Sequence, residues 1–209
     1  MPSPESFVLF FAAALLIAIT PGPGLFYVTA RTLAGGRREG IASSCGTAIG
    51  GLVHVLAGAF GVSALVMASA EAFTLLKLFG AAYLVWLGFK TLREAKAEAL
   101  TDVSASGPWR AFRDGVLVEA LNPKTAAFFL AFIPQFVRLD QGGVALQFVT
   151  LGLVSIALNT LGAVLVTLMA SRARDSLARR PHVIRRVRQA SGMVMCGLGA
   201  LLALARRPA

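Results

Sequence analysis

Six apolar stretches alternate with short polar segments along the chain of 209 residues. A helix needs about 20 apolar residues to cross the hydrocarbon core of a bilayer. Each stretch is near that length or longer, so the pattern predicts six transmembrane helices. Their predicted bounds are residues 7–30, 41–69, 72–92, 115–137, 144–171 and 189–205.

The composition supports the same class of protein. Hydrophobic residues make up 56% of the chain and charged residues only 14%, whereas about a quarter of the residues in a soluble domain are charged. The predicted fold class is therefore an all-α integral membrane protein, with the lipid bilayer as its surroundings.

The basic residues predict the orientation of the six helices. Of the 20 lysines and arginines, 15 lie at the ends of, or after, the first, third and fifth stretches, and four lie on the other side. The positive-inside rule places the 15 in the cytoplasm and both termini outside it. Orientation thus accounts for the net charge of +10, and we expect no nucleic-acid partner. For the arginines between 172 and 188, contact with anionic lipid is the alternative.

A linker-like segment, residues 96–108, divides the single predicted domain, residues 1–209, into halves of about 1–95 and 109–209. Each half contains three predicted helices. An odd number of spans places the two halves in opposite orientation, so the pattern predicts a 3+3 inverted repeat. The first helix of each half is interrupted, at Thr20-Pro21-Gly22-Pro23 and at Asn122-Pro123.

The two interruptions are the first candidates for a binding site. Proline removes a backbone donor and disrupts the preceding turn. Inside a membrane the freed backbone groups must find partners in the protein or in a water-lined cavity. Transporters hold polar ligands at broken helices of this kind. We therefore predict that Thr20, Pro21, Gly22, Pro23, Asn122 and Pro123 contribute to a substrate site.

Lys124 follows the second interruption, about 14 Å into its predicted span at 1.5 Å per residue. A lysine at that depth costs about 2.5–3.5 kcal/mol on insertion scales, so it is expected to face a cavity or a partner. A cation beside freed backbone donors suits a carboxylate ligand. A structural ion pair or snorkelling is the alternative.

Three further polar residues lie within the predicted spans. Glu119 is five residues before Lys124 and does not share its face on an ideal helix; it is a cytoplasmic-end charge, a partner for Lys124 or a proton-coupling group. His54 either bonds to another helix or relays protons. Because His182 is the only other histidine and lies in a loop, we expect no metal site. Asn159 bonds across helices or lines the substrate path.

Small residues recur at four-residue spacing in two spans, as Gly46 and Gly50 and as Gly192, Cys196 and Ala200. This spacing is typical of close helix packing. It leaves open whether the partner helix belongs to the same chain or to another copy in a homo-oligomer.

Motifs of soluble enzymes and nucleotide-binding modules do not occur in the sequence. There is no GxxxxGK[ST] loop, HExxH motif or GxSxG elbow. We expect a protein that is not an enzyme and uses no cofactor. Active transport would then depend on an ion gradient or an external partner.

Several motifs, taken in order, resemble the LysE/RhtB family of bacterial amino-acid exporters over nearly the whole chain. They are Thr20-Pro21-Gly22-Pro23, Lys77 to Leu84 with Gly88, Asn122-Pro123-Lys124, Phe128-Phe129, Pro134-Gln135-Phe136 and the span from Gly192 to Gly199. The resemblance implies a six-span bacterial inner-membrane protein that exports amino acids or derivatives by proton-coupled antiport. Family members that export basic amino acids often carry an acidic residue near the position of Gly51. This chain has none in its second span, so it looks closer to the homoserine/threonine branch.

The mechanism that we expect is alternating access between the two halves, with a site at the broken helices. Lys124 or backbone N–H groups would hold the substrate carboxylate. Freed carbonyls or Asn159 would hold its ammonium group, and Glu119 or His54 would couple transport to the proton gradient. The competing functions are export of another small solute or a metal cation, intramembrane catalysis by His54 and Glu119, and a non-transporting scaffold.

Overall fold

The computed structural model describes residues 4–62, 70–94, 104–172 and 181–204, and within these ranges it contains helices and no β-strand. The helices are α1 (Pro4–Ile19), α2 (Pro23–Ala57), α3 (Ala70–Glu94), α4 (Pro108–Ala120), α5 (Pro123–Ala127), α6 (Val144–Arg172) and α7 (Pro181–Leu204). A π-turn, Gly58–Val62, follows α2, and a π-turn and a 3-10 turn, Phe128–Phe132 and Ile133–Phe136, follow α5. Most of the predicted linker, several arginines after α6 and the C-terminal residues lie outside the described ranges.

Three helices are long and apolar enough to cross a membrane, namely Pro23–Gly61, Thr74–Arg93 and Val144–Arg172. A fourth span exists if α4 and the helical segment Pro123–Phe136, bent by 41°, are taken together. Two shorter apolar helices, Pro4–Ile19 and Gln189–Leu204, complete the described set. The all-α membrane class is confirmed, whereas the count of six spans stays a prediction.

The outer surface is apolar, as expected for a protein in lipid. Large hydrophobic side chains are exposed on most of the long helices, including Phe60, Phe79, Leu146, Met169 and Leu204. A soluble monomer rarely exposes contiguous apolar surface on this scale.

The segment predicted as a loop between the first two spans is mostly helical, and that expectation was wrong. Residues 31–40 belong to α2, and the only non-helical backbone there is Gly36, with φ 73° and ψ −165°. A residue with a side chain is strained in this region of φ/ψ space, so glycine lets the chain kink at one position without a loop.

Small residues bring helices of the same chain into contact. A Cβ atom on Gly46 or Gly50 would collide with the backbone carbonyl of Phe112 or Val116 on α4. On α7, a Cβ atom on Gly192 would lie 2.8 Å from the carbonyl oxygen of Gly88 on α3. The spacing pattern therefore serves packing within one chain at both places.

Replacing Gly46 with alanine should destabilise the protein by about 1–3 kcal/mol, because the new methyl group forces α2 away from α4. A matched control is Gly197→Ala, since a Cβ atom there meets nothing within 4 Å. The control should melt at the same or a higher temperature, because alanine favours helix by about 1 kcal/mol over glycine. Thermal unfolding of both variants in detergent tests this, and equal melting temperatures would contradict the close packing.

Candidate functional site

The two interruptions are breaks in helical structure. The first separates the end of α1 at Ile19 from the start of α2 at Pro23, and the second separates α4 from α5. Because proline has no N–H, the carbonyl four residues earlier loses its helical donor. The carbonyl groups affected by Pro21 and Pro123 are those of Ile17 and Glu119.

Lys124, which follows the second break, donates hydrogen bonds to carbonyl groups at the first break. Its Nζ donates hydrogen bonds to the carbonyl oxygens of Ile17, at 3.1 Å, and Thr20, at 2.7 Å. The residue is only 3% exposed. The N–H of Thr20 also donates to the Ile17 carbonyl, at 3.2 Å. A buried ammonium group is thus held by backbone carbonyls of a different helix.

His54 on α2 donates a hydrogen bond to the carbonyl group that Pro123 leaves without a helical donor at the second break. Its Nε2 lies 2.8 Å from the backbone carbonyl oxygen of Glu119. A carbonyl only accepts, so Nε2 must carry the hydrogen; the tautomer is assigned from this bond. The N–H of Asn122 donates to the same carbonyl at 3.0 Å. At each break the carbonyl therefore accepts one hydrogen bond from the backbone N–H three residues later and one from a side chain that is distant in the sequence.

The Glu119 carboxylate is buried beside the second break and is not at an exposed helix end. Its Oε2 accepts from the Asn122 amide at 2.9 Å, and its Oε1 accepts from the Thr125 hydroxyl at 2.6 Å. The Asn122 side chain in turn accepts from the backbone N–H of Lys124 at 3.0 Å, which caps α5. The structure shows no direct ion pair between Glu119 and Lys124, although both are described.

Two glycines at the first break make room for these side chains. A Cβ atom on Gly24 would collide with Glu119 Oε2, and one on Gly22 would lie 3.0 Å from Lys124 Cδ. The sequence marked Gly22 as part of the interruption but did not identify Gly24.

A cavity adjoins the charged residues. Its lining includes Glu119, Asn122 and Lys124, and it adds Asn159 and Thr160 from α6. It offers about 30 Å³ to the centres of water-sized molecules. That is enough for a few waters and too little for an amino acid.

A second cavity lies against the breaks. It measures about 250 Å³ on the same scale and is lined by Pro21, Gly22, Pro23 and Pro123, with Lys90 at the α3 wall. The structure thus divides the predicted site residues between two cavities. His54 and Thr20 line neither, although both take part in the hydrogen bonds at the breaks.

A polar network that the sequence did not predict joins α2 to the start of α4. Glu39 Oε1 accepts from the backbone N–H groups of Ser106 and Gly107, at 2.8 and 2.7 Å. Arg31 lies 3.8 Å from the Glu39 carboxylate and 3.9 Å from that of Asp114. These residues come from two segments that the basic residues predict to lie on the same side of the membrane, and the network joins the two segments.

Buried polar and charged side chains that gather at two broken helices in an all-α membrane protein are typical of a transporter. The chain belongs to the LysE type translocator family, whose model matches residues 15–206. The resemblance seen in the sequence is confirmed.

Relatives cover almost the whole chain. An uncharacterized membrane protein of Vibrio cholerae is 31% identical over 198 residues, which are 94% of this chain and 96% of that protein. A homoserine/homoserine lactone efflux protein of Salmonella typhimurium is 31% identical over 205 residues, covering 97% and 98%. A leucine efflux protein of Klebsiella pneumoniae is 24% identical over 200 residues, covering 95% and 94%. No solved structure matches the chain significantly.

Replacing His54 tests the role of its hydrogen bond to Glu119. His54→Leu removes the donor to Glu119 and should lower stability by about 1 kcal/mol, because the carbonyl keeps its bond from Asn122. His54→Gln retains an N–H donor and should preserve most of the stability. Thermal unfolding and transport are measured for both. If the glutamine variant is as stable as the wild type but transports less, His54 has a role beyond this bond.

Proposed function

We propose that this protein exports small neutral amino acids or their derivatives, of the homoserine or threonine kind, across the bacterial inner membrane. Transport would occur by alternating access and be coupled to the proton gradient. The observation that carries the proposal is the buried ammonium group of Lys124 on the carbonyls of a broken helix. Its two hydrogen bonds support a site that can hold an ammonium group inside the molecule.

A zwitterionic substrate fits these groups through an exchange of partners. Lysine has three N–H donors, and two of those of Lys124 are bound to Ile17 and Thr20. On substrate binding, Lys124 turns to the substrate carboxylate. The ammonium group of the substrate then takes the freed carbonyls. Each charged group keeps hydrogen-bond partners throughout, as a low-dielectric site requires.

A neutral side chain is the best match to the remaining surroundings. Glu119 and Lys124 are the only charged residues in the lining of the first cavity. A cationic side chain would have to share the Glu119 carboxylate with Asn122 and Thr125, which already donate to its two oxygens. Two relatives, named for homoserine/homoserine lactone efflux and for leucine efflux, support substrates with uncharged side chains.

The small size of the first cavity supports alternating access, because an amino acid enters only if the helices around the cavity separate. On the cytoplasmic side of the predicted topology, opening would break the bonds of Glu39 to the residues before α4 and the contact of Arg31 with Asp114.

Glu119 is the favoured proton-coupling residue. As a carboxylate it accepts from Asn122 and Thr125. Protonation makes one oxygen a donor and removes the negative charge, so these bonds weaken or change direction. Asn122 also caps α5, where Lys124 begins the helix. Proton binding would thereby loosen the break that positions the substrate-binding lysine.

Removal of the Lys124 ammonium group should reduce export at least about tenfold, because truncating one partner of a buried charged hydrogen bond costs about 2–5 kcal/mol. The measurement is efflux of labelled homoserine, threonine and leucine from preloaded cells expressing Lys124→Met. Lys77→Met is the control, since Lys77 lines neither cavity. Normal export by Lys124→Met at equal membrane levels would overturn the proposed site.

Glu119→Gln should separate binding from coupling. The glutamine side chain cannot exchange a proton, so the variant should still exchange labelled for unlabelled amino acid across a vesicle membrane. It should no longer drive accumulation with a proton gradient. Glu5→Gln, at an exposed position near the N-terminus, is the control. Undiminished gradient-driven transport by Glu119→Gln would assign coupling to another group.

A further inference from the structure

The polar groups on the charged side of the first cavity are already bonded to one another or to the first break. Glu119 accepts at both oxygens, and Asn122 both accepts and donates within the site. The Thr125 hydroxyl donates to Glu119, and Lys124 holds two carbonyls. A ligand that binds here shares groups that already have partners in the protein.

The α6 wall is different, because its polar groups are only partly used. The Thr160 hydroxyl lines the cavity and has no hydrogen-bond partner among the described residues. The Asn159 amide donates one bond, of 2.9 Å, to the carbonyl of Ser155 on its own helix. Its oxygen has no partner in the described part of the chain. On the α2 wall, by contrast, the Thr47 hydroxyl donates to Ser44.

This wall is also uncharged. From residue 144 to residue 171, α6 contains no aspartate, glutamate, lysine or arginine. Polar groups that line a cavity in a membrane protein and lack a protein partner favour a ligand or water that completes their hydrogen bonds. A hydroxyl group both donates and accepts, and it matches the amide oxygen of Asn159 and the hydroxyl of Thr160 without introducing charge.

We propose that Asn159 and Thr160 are specificity-determining residues that bind an uncharged polar group, such as a hydroxyl, on the substrate side chain. The inference rests on the proposed function, which assigns the charged ends of the substrate to Lys124 and the carbonyls at the first break. The side-chain end then meets α6. The site thereby favours hydroxy-amino acids over aliphatic amino acids of the same size.

The test compares two substrates of nearly equal shape. L-homoserine and L-norvaline differ in having a hydroxyl or a methyl group at the end of the side chain. Transport of each is measured against concentration in proteoliposomes containing the full-length protein. The wild type should show a higher kcat/KM for homoserine. Thr160→Val, which keeps the shape and removes the hydroxyl, should raise the KM for homoserine about tenfold, the effect of one lost hydrogen bond. The KM for norvaline should not rise.

Three further variants complete the design. Thr160→Ser retains a hydroxyl and should keep the preference for homoserine. Asn159→Leu should weaken the preference as Thr160→Val does. Thr150→Val makes the same change on the same helix, at a residue whose hydroxyl bonds to Leu146 and which lines neither cavity. This control should leave both substrates unaffected.

The outcomes separate the two proposals. If the wild type transports both substrates without preferring homoserine, the proposed role of α6 is overturned, whether or not the variants fold. The same conclusion follows if Thr160→Val and Asn159→Leu keep the wild-type ratio. If the wild type transports neither amino acid, the proposed function itself fails, and the inference fails with it. A loss confined to homoserine, restored in Thr160→Ser, supports the assignment.

Discussion

The structure around the site depends on carbonyl groups that proline leaves without a helical donor. In water such a group would simply be hydrated, but inside a membrane each must be bonded within the protein. Lys124 serves Ile17 at the first break, and His54 serves Glu119 at the second. Each break is therefore completed by a side chain from another segment. This requirement fixes the positions of a buried cation, a buried histidine and the helix ends that carry them.

Such bonds form only if the helices approach closely, and small residues make that possible. Gly50 lies against Glu119 and Val116, and Gly24 leaves space for the Glu119 carboxylate. The same α2–α4 contact continues to the buried Glu39 carboxylate, which binds the first backbone N–H groups before α4. A carboxylate at a helix start is stabilised by the helix dipole as well as by the two hydrogen bonds. The close packing of α2 and α4, the broken helices and the polar network at Glu39 are thus parts of one arrangement.

The sequence predicted the features that depend on local chemistry. Apolar length indicated membrane helices, prolines indicated the two breaks, and the rarity of charge inside a span singled out Lys124. It could not predict which side chain would reach which carbonyl, because those contacts join residues between 65 and 107 positions apart. The kink at Gly36 was missed for a different reason. The arginines that follow it are typical of a loop, whereas one residue with positive φ is enough to kink the helix. The sequence indicated Thr160 only weakly, as the polar residue next to Asn159 in an apolar span.

The bonds from Lys124 to the first break also bear on how strongly a substrate binds. Under the proposed exchange, the lysine is an internal competitor for the carbonyls that the substrate ammonium group needs. A tethered group acts at an effective concentration on the order of millimolar. The apparent dissociation constant rises in inverse proportion to the fraction of molecules whose carbonyls are free. A carrier of this kind transports little substrate while the cytoplasmic concentration of the substrate is low. Transport rises once that concentration is high enough for the substrate to displace Lys124 from the carbonyls.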